Sequence, residues 1–119
     1  MLDFSKEKIE EKVKSIEKTE GIIYCICGES GCGKTTYTIN FLRNEGKVDI
    51  ILDGDSVRYY VNDDLGYTDE DRKINNLRIA KIALLLTKQG FNIAISTVRA
   101  DIAYDFLKSK VSNIFLIKL

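Results

Sequence analysis

The sequence has no histidine, no tryptophan and no proline, and only three of its 119 residues are cysteines. A Cys/His metal site is not expected, because the sequence has no histidine and its CxC pair, Cys25 and Cys27, is not accompanied by a second cysteine pair. The two cysteines alternate within an apolar run, so we expect them to be small core residues. We also expect a reducing, cytoplasmic setting, because nothing in the cysteine pattern indicates disulfides.

The chain also lacks net charge and any long apolar run. Eighteen Lys and Arg residues offset eighteen Asp and Glu residues, so no global charge attracts nucleic acid or an anionic membrane. The N-terminal segment "MLDFSKEKIEEKVKSIEKTEG" has no apolar signal region. No apolar run approaches the ~20 residues that a membrane-spanning helix needs. We therefore expect neither a nucleic-acid partner nor a membrane segment.

What the chain does contain is the composition of one folded domain. Hydrophobic residues make up 45% and charged residues 30%, with no repeat and no low-complexity linker. From Ser5 to Thr19, helical spacing of Ile9, Val13 and Ile16 predicts an amphipathic helix that docks on another surface. We expect this N-terminal helix, within residues 1–20, to precede a domain over residues 21–119.

Short apolar runs and helical patterns alternate through that domain. Strands are predicted over residues 22–27, 48–53, 91–96 and 113–119, and helices over 34–46, 68–89 and 100–110. This alternation implies right-handed βαβ units. Because the first of these strands is followed by "GESGCGKT", which matches the P-loop pattern GxxxxGK[ST], the expected fold is an α/β three-layer sandwich of the P-loop NTPase type. Its sheet would be mostly parallel and covered by helices on both faces. Ligands of such sheets bind beyond the carboxyl ends of the strands, where Asp53 and Ser96 fall.

The segment "GESGCGKT" matches the pattern GxxxxGK[ST] and lies between a predicted strand and a predicted helix. Glycines let backbone N–H groups approach phosphate oxygens, and the N-terminus of the helix adds positive charge. Lys34 supplies a mobile cation for the outer phosphates, and the Thr35 hydroxyl is a natural Mg²⁺ ligand. The sequence therefore predicts ATP and Mg²⁺ as cofactors. The nucleotide-binding residues would be Gly28, Ser30, Gly31, Cys32, Gly33, Lys34, Thr35 and Thr36.

Carboxylates follow the second strand in "IILDGD". Asp53 is placed to order the water molecules around a magnesium ion, and Asp55 is placed to take a proton from an acceptor hydroxyl. The alternative is that both are ordinary turn carboxylates. Three arginines follow, and together with an asparagine they indicate a second anion pocket, although each alone is typical of a surface. These residues are Arg58, Arg72, Asn75 and Arg78.

Four segments, "GESGCGKTT", "LDGDSVR", "DLGYTDEDRKINNLRIAKIA" and "ISTVRAD", occur in the order and approximate spacing of adenylylsulfate kinases. The chain resembles these enzymes, which use ATP to phosphorylate the 3′-hydroxyl of adenosine 5′-phosphosulfate, over roughly residues 21–118. The resemblance implies that Asp55 and Lys34 are catalytic and that Asp53 supports the magnesium. It implies acceptor contacts for the residues that match the family's nucleotide pocket: Asp53, Arg58, Tyr67, Arg72, Asn75, Arg78 and Ser96. Tyr67 takes the place of a phenylalanine that stacks on adenine.

The chain departs from the family pattern in three ways. Ile74 replaces a glutamate, Leu77 replaces the first of two paired arginines, and "IST" replaces "ISP". In addition, the family continues for several dozen residues beyond "NIFLIKL", where it supplies a lid over the phosphates. We therefore expect weak turnover. We also expect either that the apolar edge strand pairs with a second copy or with a partner chain, or that the sequence is a fragment of a longer protein.

Two other functions are compatible with the same residues. One is a kinase of this architecture that phosphorylates another small anionic or nucleotide acceptor. The other is a non-catalytic ATP-binding module, which the missing lid favours. Retention of Asp55 argues against the module, because binding alone places no demand on that residue.

Overall fold

The computed structural model describes residues 4–119, and its centre is one sheet of four parallel strands. The strands lie in the spatial order β2-β3-β1-β4, so β2 and β4 are the edges. Their bounds are β1 Ile23–Cys27, β2 Ile50–Asp53, β3 Ile93–Thr97 and β4 Ile114–Lys118. All four predicted strands are confirmed, each one or two residues shorter than predicted, and β3 ends one residue later, at Thr97. The expected α/β sandwich is confirmed with them.

Two apolar layers lie on opposite faces of the sheet because side chains alternate along each strand. On one face, Ile23 and Cys25 of β1 join a core cluster with the helices of the second half of the chain. On the other face, Ile26 packs with Leu42 and Val48. Cys25 is therefore the core residue that its apolar context predicts, and burial raises the pKa of its thiol to about 12.

The helix after the glycine-rich loop begins as expected but changes its winding. Helix α2, Lys34–Tyr37, continues as a π-helical segment over Thr38–Arg43. The Thr38 hydroxyl donates a 2.7 Å hydrogen bond to the carbonyl of Lys34, and such back-bonding perturbs helical geometry. Gly46, with φ of 75°, follows the segment and turns the chain, as predicted.

Three further helices complete the domain: α3 Gly54–Tyr60, α4 Asp69–Thr87 and α5 Ala100–Leu107. At the start of α4 the Thr68 hydroxyl caps the helix by accepting a hydrogen bond from the Asp71 N–H at 3.1 Å. The reciprocal bond of a capping box does not form. The Asp71 carboxylate instead accepts from the N–H of Gly66 at 2.9 Å, which fastens the preceding loop to the helix.

Helix α1, Lys6–Ile16, lies outside the two layers. The helix is confirmed, but its apolar stripe is not buried: Ile9, Val13 and Ile16 are 47–51% exposed. Val13 and Ile16 face a groove that Leu84 and Leu85 of α4 also line. Among residues 4–119, no helix is both long and apolar enough to cross a membrane.

Candidate functional site

A cleft of about 520 Å³ opens at the carboxyl ends of the central strands, where parallel α/β sheets bind ligands. Four stretches of chain meet there: the glycine-rich loop after β1, the acidic turn after β2, the end of β3, and the start of α4 with the loop before it. Its walls bring together twelve of the residues that the sequence nominated. They are Ser30, Gly31, Gly33, Lys34, Thr35, Thr36, Asp53, Asp55, Arg58, Tyr67, Arg72 and Ser96.

The glycine-rich loop has the backbone that its motif requires. Gly31 and Gly33 have φ of 83° and 97°, a left-handed conformation that side chains with a β-carbon rarely adopt. The ammonium of Lys34 donates a 2.9 Å hydrogen bond to the carbonyl of Glu29, so the side chain folds back over the loop. The loop thereby presents backbone N–H groups, a helix N-terminus and one mobile cation to the same space.

Gly28 and Cys32 belong to the motif but do not line the cleft. A β-carbon on Gly28 would lie 2.5 Å from the Cys32 sulfur, so the two residues pack against each other. This contact fixes the shape of the loop, and the predicted contribution of both residues to nucleotide binding stays a prediction.

Asp53 ends β2 and caps α3. Its Oδ2 accepts hydrogen bonds from the Ser56 N–H at 3.0 Å and from the Ser56 hydroxyl at 3.2 Å. In the sheet, Asp53 pairs in register with Ser96 of β3, which brings the two side chains to the floor of the cleft. The short helix that this cap starts carries Asp55 and Arg58.

Asp55 accepts two hydrogen bonds on one oxygen. Arg58 Nη2 donates to Oδ1 at 3.0 Å, and the Tyr67 hydroxyl donates to the same atom at 3.1 Å. The Arg58 bond is the largest cause that lowers the pKa of Asp55. Partial burial opposes it, whereas the Tyr67 bond and the charge of Lys34 add to it. Asp55 is therefore a carboxylate at neutral pH and a weak base.

Arg58 lies against Tyr67, with its guanidinium carbon 4.1 Å from the ring centroid. One face of the ring that was expected to stack on adenine is thus covered by the protein itself. The Nε of Arg58 is buried and has no hydrogen-bond partner within the part of the chain that the structure describes.

Two predicted acceptor contacts lie outside the cleft. Asn75 is fully buried, and its side-chain amide joins α4 to the carbonyl of Gly54 at 3.3 Å and to the Asn62 amide at 2.8 Å. Arg78 forms a two-pronged pair with Asp64 at 2.9 and 3.0 Å, which holds the pKa of Arg78 above its usual value. In this structure both side chains are occupied with holding the fold together.

Sequence reasoning missed several cleft residues. Thr97 and Asn76 line the cleft and are hydrogen-bonded to each other at 2.7 Å. Arg99 also lines it, and forms two 2.9 Å hydrogen bonds with Asp101 that raise the pKa of the guanidinium. Thr97 and Arg99 follow Ser96 directly in "ISTVRAD". The rule that placed Ser96 at the carboxyl end of a strand therefore also applies to them.

The residues present suit a magnesium ion held mainly by phosphate and water. Thr35, Asp53 and Ser96 share an adjoining cavity of about 290 Å³, and they offer the oxygen donors that Mg²⁺ prefers. The Ser96 hydroxyl is buried and lacks a hydrogen-bond partner among residues 4–119, which leaves it available to a ligand or a water. The described residues contain no cluster of three or more His, Cys, Asp or Glu side chains that could hold a metal.

Comparison with known proteins agrees with the motifs. Residues 20–105 match the family model described as adenylylsulphate kinase. The probable adenylyl-sulfate kinase of Bacillus subtilis is 39% identical over 89 residues, which cover 72% of this chain and 43% of the relative. The adenylyl-sulfate kinase of Paraburkholderia xenovorans is 38% identical over 84 residues, or 68% of this chain and 47% of the relative. The chain thus spans less than half of the length of these relatives.

Solved structures give the same result for the fold. The Mycobacterium tuberculosis APS kinase CysC, in complex with AMPPNP and APS, superposes with a TM-score of 0.74 at 25% identity. The match covers 85% of this chain and 63% of that one. A hexameric APS kinase from Thiobacillus denitrificans superposes with a TM-score of 0.62 at 27% identity, over 84% of this chain and 22% of that one.

Proposed function

The chain belongs to the adenylylsulfate kinase family, and from this premise we propose that it takes part in phosphoryl transfer from ATP to the 3′-hydroxyl of adenosine 5′-phosphosulfate. One observation carries the proposal: the glycine-rich loop and the turn that holds Asp53 and Asp55 line the same cleft. A donor phosphate and an acceptor hydroxyl placed in this cleft would meet within the span of one small molecule. We also propose a cytoplasmic location, since Cys25, Cys27 and Cys32 are free thiols.

Different groups of the chain bind the phosphate donor and the phosphate acceptor. The loop amides and Lys34 bind the outer phosphates of ATP, and Arg58 and Arg72 bind the anionic tail of the acceptor. Thr35 and Asp53 would hold Mg²⁺, which neutralises charge on the transferring group when it is bound. Most of the rate enhancement in such reactions comes from placing these charges around the phosphoryl group.

Asp55 is suited to orient the acceptor hydroxyl rather than to ionise it in advance. Its lowered pKa makes it a poor base in the ground state. In a loose transition state the acceptor oxygen loses its proton late, as its bond to the γ-phosphorus forms and the bond from that phosphorus to the bridging oxygen of ADP breaks. A carboxylate that accepts the hydroxyl hydrogen bond then receives the proton at that stage.

A second candidate, phosphorylation of a different small anionic acceptor, rests on the position of Asn75 and Arg78. Both are engaged with other protein groups outside the cleft, so two of the contacts expected for the phosphosulfate nucleotide are missing from its walls. Leu77, in place of an arginine of the family pattern, removes one further positive charge from the acceptor side of the site.

A coupled ADP-release assay with Mg²⁺, ATP and a panel of nucleotide acceptors separates these functions. Product with adenosine 5′-phosphosulfate alone supports the first function, and product with another acceptor supports the second. Tight ATP binding without turnover on any acceptor contradicts both and indicates a binding module.

Two pairs of variants test the residue roles. Lys34→Ala is expected to abolish ATP binding in calorimetry, whereas Lys47→Ala, which removes an exposed lysine beside Glu45, is not. Asp55→Asn is expected to keep ATP binding and to lower kcat on the order of 10²–10⁴-fold. Its control, Asp105→Asn, changes an exposed carboxylate beside Lys108. Full activity of Asp55→Asn would refute the role given to that carboxylate.

A further inference from the structure

Tyr67 contacts both members of the ion pair at the edge of the cleft. Its hydroxyl donates to Asp55 Oδ1 at 3.1 Å, and its ring lies 4.1 Å below the guanidinium of Arg58. Arg58 closes the triangle with its own 3.0 Å bond to the same oxygen of Asp55. The three side chains therefore form a closed cluster, here named the Asp55–Arg58–Tyr67 triangle.

The triangle restrains a carboxylate that would otherwise be mobile. The Asp55 side chain is 74% exposed, and an exposed aspartate on the first turn of a short helix can change rotamer freely. The Arg58 side chain is only 14% exposed and is held between Tyr67 and the body of the domain, so it provides a fixed donor. The second donor on the same oxygen is the Tyr67 hydroxyl, which a phenylalanine at this position lacks.

We propose that Tyr67 is a positioning residue, whose hydroxyl holds the Asp55 carboxylate in one rotamer in the absence of ligand. The inference rests on the proposed function, because the restrained carboxylate is the group assigned to the acceptor hydroxyl. Catalytic groups that are ordered before the substrate arrives do not have to be ordered during the reaction. The Tyr67 hydroxyl and the Tyr67 ring thus have separate functions. The ring face away from Arg58 is the one on which an adenine would stack.

Tyr67→Phe removes the hydroxyl and keeps the ring that contacts Arg58. The matched control is Tyr59→Phe, the same chemical change at an exposed tyrosine of α3 whose ring contacts Tyr60 instead. Tyr67→Ala removes the ring and the hydroxyl together. Thermal denaturation checks that all three variants are folded.

Kinetics at one neutral pH distinguish positioning from binding. For Tyr67→Phe we expect kcat to fall roughly threefold to tenfold, the effect of one lost hydrogen bond, while the KM for the acceptor changes less than about twofold. Tyr67→Ala is expected to raise that KM as well, and Tyr59→Phe to change neither constant. An unchanged kcat for Tyr67→Phe in an active wild-type background overturns the proposal.

A second readout does not depend on turnover. Three-bond NMR couplings to the side-chain carboxyl carbon of Asp55 report its χ1 rotamer in the ligand-free protein. We expect values of a single staggered rotamer in the wild type and in Tyr59→Phe, and averaged values in Tyr67→Phe. Unchanged couplings in Tyr67→Phe overturn the proposal whatever the activity. If the wild type phosphorylates no acceptor but the couplings change, the proposed function fails and the positioning of Asp55 is retained.

Discussion

Replacing Asn75 with alanine is expected to destabilise the domain, and this prediction separates a structural role from the acceptor contact that the family resemblance implies. Asn75 has no exposed surface. Its side chain joins three segments: α4, which carries it, the Gly54 carbonyl at the start of α3, and the Asn62 amide in the loop between them. Alanine leaves that carbonyl and that amide buried without these partners.

The magnitude follows from the two broken hydrogen bonds. Leaving a buried polar group unsatisfied costs about 1–3 kcal/mol. The Gly54 bond is long at 3.3 Å and the Asn62 bond is short at 2.8 Å, so we expect the first near the low end of that range. The free energy of unfolding should fall by about 2–4 kcal/mol. With a urea m-value of about 2 kcal/mol/M, the unfolding midpoint drops by about 1–2 M.

Urea denaturation followed by circular dichroism measures this change. The control is Asn40→Ala, at an exposed position where the side chain accepts a long 3.5 Å hydrogen bond from Asn44. It should shift stability by less than about 0.5 kcal/mol. If Asn75→Ala unfolds at the wild-type midpoint but raises the KM for the acceptor, the side chain contacts ligand and the structural reasoning is wrong.

Three further predictions concern Glu20 in the segment between α1 and β1, the glycine-rich loop, and the edge strand β4. Burial raises the pKa of Glu20, but hydrogen bonds from Lys88 and from backbone amides outweigh burial, so the pKa in the folded state is lowered. Glu20 therefore stabilises the fold fully above its unfolded-state pKa of about 4.3, and this stabilisation is lost as pH falls through the folded-state pKa. Glu20→Gln should cost about 1 kcal/mol at pH 7 and nothing in acid, in parallel urea titrations. Gly33→Ala forces alanine to φ of 97°, so ATP binding measured by calorimetry should weaken about tenfold or more; equal affinity would contradict the loop assignment. Phe115→Lys adds a charge to edge strand β4, where Phe115 is 51% exposed, and should reduce any concentration-dependent association seen by sedimentation; unchanged association would place the contact elsewhere.

The order of elements was predictable because each signal is local. Four apolar runs of six or seven residues, separated by helical patterns, are sufficient to indicate a parallel sheet, and the sheet then brings its carboxyl ends to one place. Asp53 and Ser96 are 43 positions apart in sequence and are paired in the structure. Their approach follows from topology, since neither residue carries a motif that points to the other.

Contacts that depend on side-chain competition were not predictable in this way. The sequence shows an asparagine at position 75 and an arginine at position 78 on a helix beside the cleft. Whether such groups face ligand or protein depends on how that helix is rotated about its own axis, which the sequence does not indicate. Asn62 and Asp64, in the loop before α4, provide partners for them in the fold. The loop had no regular pattern from which these partners could be inferred. The π-helical segment after Tyr37 likewise begins at a side-chain contact that the sequence pattern does not indicate, the hydrogen bond from the Thr38 hydroxyl to the Lys34 carbonyl.

Four cations line the cleft, and three of them, Lys34, Arg58 and Arg99, are bonded to acceptors of the protein, which affects how an anionic ligand would be recognised. Arg58 pairs with Asp55 and Arg99 with Asp101, while Lys34 is bonded to a loop carbonyl. A chain without net charge and with paired arginines produces little long-range attraction for anions. A phosphate must therefore compete with these partners at contact distance, where hydrogen-bond direction counts more than total charge. Affinity in such a site depends mainly on how accurately the donors are placed, and the elements that place them are the capped turn at Asp53, the left-handed glycines of the loop and the Asp55–Arg58–Tyr67 triangle.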